Sequence, residues 1–228
     1  MQIKILNQNS LIKNHFRFLC PMQNSDVCII GAGPGGATAA LFLAQKGIEC
    51  TLIDKAKFPR DKTCGDALSG KSVSVLKKLN PEIVNELSAS AIQVPSYGVK
   101  FFAPNLKHIR IPFKKNYPVG GNAPGYISKR MDFDNFLIKK VKQQPLIKLV
   151  ENTSLKYFKQ VNGEWLIGTS ENEILFATKI LIAADGAHSI FAREHGGIEV
   201  EHKHYCAGIR AYYSGVTGMD SENFIELH

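Results

Sequence analysis

The chain has 228 residues, 44% of them hydrophobic and 21% charged, with a formal net charge of +8 at pH 7. That balance supplies enough apolar material for one large or two small packed cores and excludes a disordered chain. No window approaches the roughly 18 consecutive apolar residues of a membrane-spanning helix. The positive charge is local: residues 100–160 carry 13 basic and 3 acidic groups, whereas residues 161–228 carry 4 and 10. The basic segment lacks the interleaved aromatics and repeated stripes of a nucleic-acid reader, so no nucleic-acid partner is expected. A solvated face, or contact with an anionic cofactor, substrate or membrane surface, remains open. Five cysteines, Cys20, Cys28, Cys50, Cys64 and Cys206, form no Cys-x-x-Cys pair. They fit a reduced, cytoplasmic protein better than a disulfide or zinc framework, and no metal is expected.

In chain order, residues 1–24 form a leader rich in Asn, Gln and Lys, in which Lys13, His15 and Arg17 interrupt the apolar residues of any secretory signal. It reads as a disordered extension, or as sequence upstream of a true start at Met22, with a targeting segment as the third reading. Residues 27–30 form a short apolar strand ending in Gly31, and the small-residue pattern of 37–46 predicts a helix closed by Gly47. Residues 49–54 read as a second strand, completing a parallel βαβ unit. Residues 69–90 are helical and broken at Pro81. The stretch 92–113 turns to short β segments punctuated by Pro95, Pro104 and Pro112, as in an inserted antiparallel layer on the substrate side. A helix follows over 133–141.

A β meander comes next, with strands at 155–161 and 165–169 flanking the turn dipeptide Asn162-Gly163, then a strand at 174–177. Trp165 reads as core or cross-strand packing. Residues 179–184 form an unbroken apolar strand, expected to be buried on both faces. The chain stops at 223–228 in what reads as the middle of a strand, so a missing C-terminal part is expected. The fold class is α/β: a Rossmann-like domain with a parallel sheet and β meander, plus part of a mixed antiparallel β substrate domain. The expected boundaries give residues 25–90 and 126–200 to the first domain, and 91–125 and 201–228 to the second.

The chemistry concentrates at Gly31-Ala32-Gly33-Pro34-Gly35-Gly36, a G-x-G-x-x-G between strand and helix. Gly31 permits the sharp turn, Gly33 lets a pyrophosphate approach the backbone, and Gly36 lets helix and strand pack closely. Asp54, at the end of the second strand, can accept hydrogen bonds from an adenosine ribose. Strand, loop, helix and acid together point to a bound dinucleotide. His188, His202 and His204 read as polar loop or strand residues.

Three further blocks carry a family resemblance. Phe58-Pro59-Arg60-Asp61-Lys62-Thr63-Cys64-Gly65, the Arg130-x-x-Phe133-Asp134-x-x-Leu137 pattern and Ala184-Asp185-Gly186-Ala187-His188-Ser189 together resemble FAD-dependent enzymes of the glutathione-reductase-type fold. The first block tilts the resemblance toward the geranylgeranyl reductase family rather than the related flavin aromatic hydroxylases. The closing 205–213 segment and Ile225-Glu226 are similar to the substrate-domain strands of that family. The resemblance implies FAD held by Gly31, Gly33, Gly35, Gly36, Asp54, Lys55, Arg60, Cys64, Gly65, Arg130, Asp185 and Gly186. For Arg130, an ion pair with Asp134 is the alternative reading. Cys64 is either a small packing residue beside the flavin or a catalytic residue.

The implied activity is transfer of reducing equivalents from NAD(P)H through flavin to a C=C bond of a prenyl or other apolar substrate. An FAD-dependent monooxygenase is the alternative within the cofactor class, and a non-catalytic fragment with weak nucleotide binding is the alternative outside it. A simple NAD-dependent dehydrogenase would fit Asp54 but leave Arg130 and Asp185-Gly186 unexplained. An apolar substrate adds the expectation of peripheral contact at the inner face of the membrane.

Overall fold

The computed structural model describes residues 22–116, 122–199, 201–204 and 206–228. The expectation for the leader and the position of Cys20 therefore lie outside the described residues. Two compact units form: Met1–Phe58 with Leu137–Glu201, and Pro59–Phe136 with His202–His228.

The first unit is built on a six-stranded sheet. Its strands are β1 (Gln23–Ile30), β2 (Cys50–Ile53), β8 (Ile147–Val150), β9 (Tyr157–Val161), β10 (Glu164–Ser170) and β11 (Glu173–Ala183), in the order β8-β2-β1-β11-β10-β9. The pairs β8-β2, β2-β1 and β1-β11 are parallel, whereas β10 pairs antiparallel with both β11 and β9. A parallel sheet thus continues into an antiparallel meander, the α/β class read from the sequence. Helix α1 (Pro34–Gln45) packs on β1, β2 and β8 through Gly36, Ala37, Ala40, Leu41 and Ala44. All but Leu41 are small, which lets the helix axis come close to the sheet. At the hairpin tip both Asn162 and Gly163 have positive φ (52° and 83°), the two-residue turn whose twist matches paired strands. Trp165 packs edge-on against Phe191, with ring centroids 5.1 Å apart, in a cluster around Phe158, Ile167 and Phe176.

Two strand expectations change. β11 is one strand where the pattern suggested two, because β1 extends back to Gln23 and keeps one register with it from Phe176 to Ala183. Nor is its second half buried on both faces: Ile180 is 55% exposed. β10 pairs with β11 only as far as Thr178, so the last residues of β11 have a neighbour on one edge alone.

In the second unit, α2 (Gly70–Leu79) and α3 (Pro81–Ala89) meet at Asn80, whose side chain accepts the Glu82 amide at 2.9 Å while Pro81 opens the new helix. The helices pack on β7 (Gly125–Ser128) and β4 (Gln93–Ser96), which form a three-stranded antiparallel sheet with β3 (Ala67–Leu68). A second sheet has the order β12-β5-β6, from β5 (Gly98–Phe102), β6 (His108–Pro112) and β12 (Phe224–Leu227). Because α2 and α3 bury their apolar faces on β7 and β4, residues 59–90 belong to this unit. The units accordingly divide at Phe58/Pro59 and Phe136/Leu137, not at the expected 90/91 and 125/126. Helix α4 (Arg130–Lys142) begins in one unit and ends in the other.

The similarity of residues 205–213 to a strand is not met by the described part: residues 206–213 form no strand, and their contacts are made by side chains. Part of the basic segment is neutralised. Lys100 pairs with Asp220 and Glu226, Arg110 with Asp220 and Glu222, and Lys142 with Glu151.

Cys28 and Cys50 are buried on the neighbouring strands β1 and β2. Burial first, and the neighbouring Cys28 second, push the Cys50 thiol up to about 11 from its ordinary 9.0. The folded state therefore retains a proton that the unfolded chain releases. This contribution to stability is complete below about pH 9 and is lost as pH rises through about 11. Thermal melts across that window should show a falling midpoint, and Cys50→Ala should flatten the fall; an unchanged slope would refute this assignment.

Candidate dinucleotide and flavin site

The glycine-rich loop is shaped by contacts that exclude side chains. Gly31 continues the sheet by donating its amide to the Ile53 carbonyl at 2.7 Å, and its φ of +92° suits glycine. A Cβ there would lie 2.5 Å from the Ala184 carbonyl oxygen, and one at Gly36 only 1.8 Å from the Gly31 carbonyl oxygen. Gly36 therefore seats α1 directly on the end of β1.

Gly33 caps the helix in extended conformation with no side-chain hydrogen bond, Pro34 occupies the first turn, and no acidic residue stands there. First-turn amides have no acceptor within a helix, and the dipole adds partial positive charge. A Cβ at Gly35 would meet nothing within 4 Å, so open space lies beside those amides. This is a place for an anion carried by a ligand that needs backbone approach.

Asp54 is only 7% exposed and fastens the loop: its two carboxylate oxygens accept the amides of Ala32 at 2.8 Å and Ala56 at 2.9 Å. Lys55 follows it, exposed. Asp185 emerges from the end of β11 beside Gly31, and its Oδ1 is buried without a hydrogen-bond partner in the protein. A buried carboxylate oxygen in that state calls for a donor from a ligand or water. Gly186 next to it has φ +89°, and its carbonyl accepts the Ser189 amide at 3.0 Å. An uncapped helix start, open space at Gly35 and the orphaned Asp185 oxygen fit the pyrophosphate and hydroxyl groups of FAD.

The remaining candidates lie in the second unit. Arg130 grips Asp134 through Nε at 2.7 Å and Nη2 at 2.8 Å, and Arg60 Nη1 reaches the same carboxylate at 3.0 Å. Asp134 is 1% exposed, so a buried carboxylate is held between two guanidinium groups. The ion pair weighed as the alternative for Arg130 is thus present. The Arg130 guanidinium is held well above its ordinary range, first by Asp134 and in smaller part by the neighbouring Cys64 thiol. Cys64 is half-buried, and at Gly65 a Cβ would meet nothing within 4 Å.

Sequence reading missed Asp66. It is 6% exposed, has φ +56°, and accepts the Arg130 amide at 3.2 Å and the Tyr212 hydroxyl at 2.6 Å. Its one sequence cue was its place directly after Cys64-Gly65. Among the described residues no group of three or more His, Cys, Asp or Glu is arranged to hold a metal ion.

The two glycines of the first helical turn should behave oppositely. Gly35→Ala puts a methyl into open space within a helix, so thermal stability should hold or rise by about 0.5–1 kcal/mol. Its FAD affinity should nonetheless drop about tenfold or more, because the methyl takes the anion's room. Gly36→Ala should cost about 3 kcal/mol or more through backbone collision. Melting curves and FAD titration of both variants check this; equal affinity for FAD in Gly35→Ala and the parent would refute it.

Comparison with known proteins agrees with this geometry. Conditioned medium factor receptor 1 of Dictyostelium discoideum is 30% identical over 84% of this chain and 39% of its own length. Digeranylgeranylglycerophospholipid reductase of Picrophilus torridus is 30% identical over 76% of the chain and 42% of its own length. Menaquinone reductase of Mycobacterium tuberculosis is 26% identical over 90% and 48%. The chain thus spans less than half the length of these relatives. A geranylgeranyl bacteriochlorophyll reductase-like protein of Thermoplasma acidophilum superimposes with a TM-score of 0.58 at 27% identity, covering 75% of this chain and 42% of that one. A flavin-dependent monooxygenase, PieE, solved with FAD and substrate, shares the fold at a TM-score of 0.62 and 20% identity, over 78% and 33% of the two chains. A family model described as an FAD binding domain matches residues 24–211, and the chain belongs to that family.

Proposed function

We propose that the protein to which this chain belongs is an FAD-dependent reductase acting on a C=C bond of a prenyl or other apolar lipid, with NAD(P)H as electron donor. The observation that carries the cofactor is the uncapped start of α1 beside the open space at Gly35. When bound, FAD supplies the two-electron chemistry, taking up hydride and passing reducing equivalents on. The chain's own residues bind and orient it. The amides at Gly33, Gly35 and Gly36 meet the pyrophosphate, Asp54 and Lys55 stand at the adenosine end, and Asp185 with Gly186 supply the second loop of the first unit. In the second unit, Arg60, Cys64, Gly65 and Arg130 are the candidates for flavin contact.

The reductase reading draws support from relatives named as reductases at 26–30% identity, whereas the monooxygenase PieE shares the fold at 20%. Reconstitution with FAD should give a yellow protein with bands near about 370 and 450 nm. Anaerobic incubation of the full-length protein with NAD(P)H and a prenyl lipid should yield the saturated product. Product that forms only with oxygen and carries a new hydroxyl would overturn the reductase reading in favour of a monooxygenase.

The reading extends to peripheral contact with an anionic membrane surface. Val99, Phe101, Ile109, Ile111, Ile225 and Leu227 share one face of the β12-β5-β6 sheet by register, and Phe101, Ile109, Ile111 and Leu227 are at least 44% exposed. No helix among the described residues is long and apolar enough to cross a membrane. Co-sedimentation with anionic vesicles should exceed that with neutral ones and weaken with salt. Binding indifferent to lipid charge would count against this contact.

A further inference from the structure

The loop 61–66, which carries Cys64 and Gly65, is held from outside by a segment far along the chain. Arg210 Nη1 donates to the Lys62 carbonyl at 2.9 Å and reaches Asp66 Oδ1 at 3.5 Å, and Nη2 pairs with Asp61. The Tyr212 hydroxyl donates to Asp66 Oδ2 at 2.6 Å. Arg210 also lies over the Tyr212 ring, 4.8 Å from its centroid, and Lys129 Nζ stands 4.9 Å from the same ring.

The segment 206–213 has no apolar burial of its own to keep it there. Ile209 is 99% exposed and Tyr213 82%. Its position rests on the two polar side chains, and they reach both ends of the loop, Asp61 and Asp66. Asp66 is also bound to the start of α4, and its backbone has positive φ, so the loop leaves a fixed point in a constrained direction.

We propose that Arg210 and Tyr212 are positioning residues that clamp the loop 61–66 and so fix where Cys64 and Gly65 stand. The clamp rests on these contacts alone; only its consequence for flavin rests on the function proposed above. Hydrogen bonding to Asp66, then burial, pushes the Tyr212 phenol up to about 12, so it stays a donor throughout the neutral and mildly alkaline range.

The test is thiol accessibility in the full chain. Iodoacetamide labelling followed by peptide mass spectrometry reads each cysteine separately, with buried Cys28 and Cys50 reporting that the first unit is folded. Deleting the Tyr212 hydroxyl in Tyr212→Phe should speed labelling of Cys64 about fivefold, the effect of one lost hydrogen bond on local opening. Arg210→Met should speed it further, and Arg210→Lys, which keeps the charge but not the fork, should fall between Met and the parent.

Unchanged Cys64 labelling in both Tyr212→Phe and Arg210→Met, with Cys28 and Cys50 still protected, would overturn the clamp. Should Arg210→Met expose Cys28, Tyr212→Phe decides alone, since its ring and half-exposed setting are retained. A separate arm adds FAD to the parent protein. Slower Cys64 labelling supports the flavin role of the loop, and no slowing counts against that role while the clamp stands on the variants.

Discussion

The contact on which the first unit depends is the approach of Gly36 to the Gly31 carbonyl, so close that a Cβ would sit 1.8 Å from the oxygen. With no side chain at either position, α1 starts on the end of β1 rather than beside it. Its first-turn amides thereby lie beside the open space at Gly35. The same crowding sets Ala184 against Gly31, which brings Asp185 to the loop. Asp54 completes the arrangement by accepting the Ala32 and Ala56 amides, so that a buried carboxylate ties the loop to the end of β2. An anionic ligand would meet a surface of backbone donors already in place, with little ordering left to do.

What could be read from the sequence follows how local each cause is. The strand–turn–helix around the glycine loop, the Asn162-Gly163 turn and the break at Pro81 are each decided by residues within a few positions, and the structure has all three; Asp54 stands at the end of β2, where its carboxylate oxygens take the Ala32 and Ala56 amides. The sequence reads two strands, 174–177 and 179–184, where the structure has one, because strand length is set by the partner, and β1 keeps one register with β11 from Phe176 to Ala183. The burial of 179–184 failed for the same reason, since β10 stops pairing at Thr178. The unit boundaries depend on which sheet α2 and α3 cover, a matter their own periodicity does not encode. Asp66 stayed hidden because its partners Arg130 and Tyr212 stand 64 and 146 positions away.

Charge shows the same dependence on distance. The basic excess at residues 100–160 left open a solvated face or one that contacts an anion. In space, Lys100 and Arg110 meet acids from the last ten residues of the chain, and Arg130 is committed to Asp134. Asp134 holds two guanidinium groups at 1% exposure, an arrangement whose desolvation cost is offset only by the forked geometry and the second arginine. One carboxylate against two cations leaves this Arg60–Asp134–Arg130 triad with one net positive charge, and Arg130 also neighbours Cys64 in the same unit.

The two sets of candidate residues are therefore held by different physics. The glycine loop is fixed by backbone hydrogen bonds and steric exclusion within a core where Cys28, Ile29, Leu52 and Ile53 have no exposed surface. Such a site changes only by breaking the fold, which suits recognition of a pyrophosphate common to all dinucleotides. The loop 61–66 is instead fixed by charged and hydroxyl side chains, some at the surface, acting between segments distant in sequence. Substitution of Arg210, Tyr212 or Asp61 can shift that loop without disturbing the glycine loop's backbone contacts. A loop held by side chains is where differences in chemistry can arise at small structural cost.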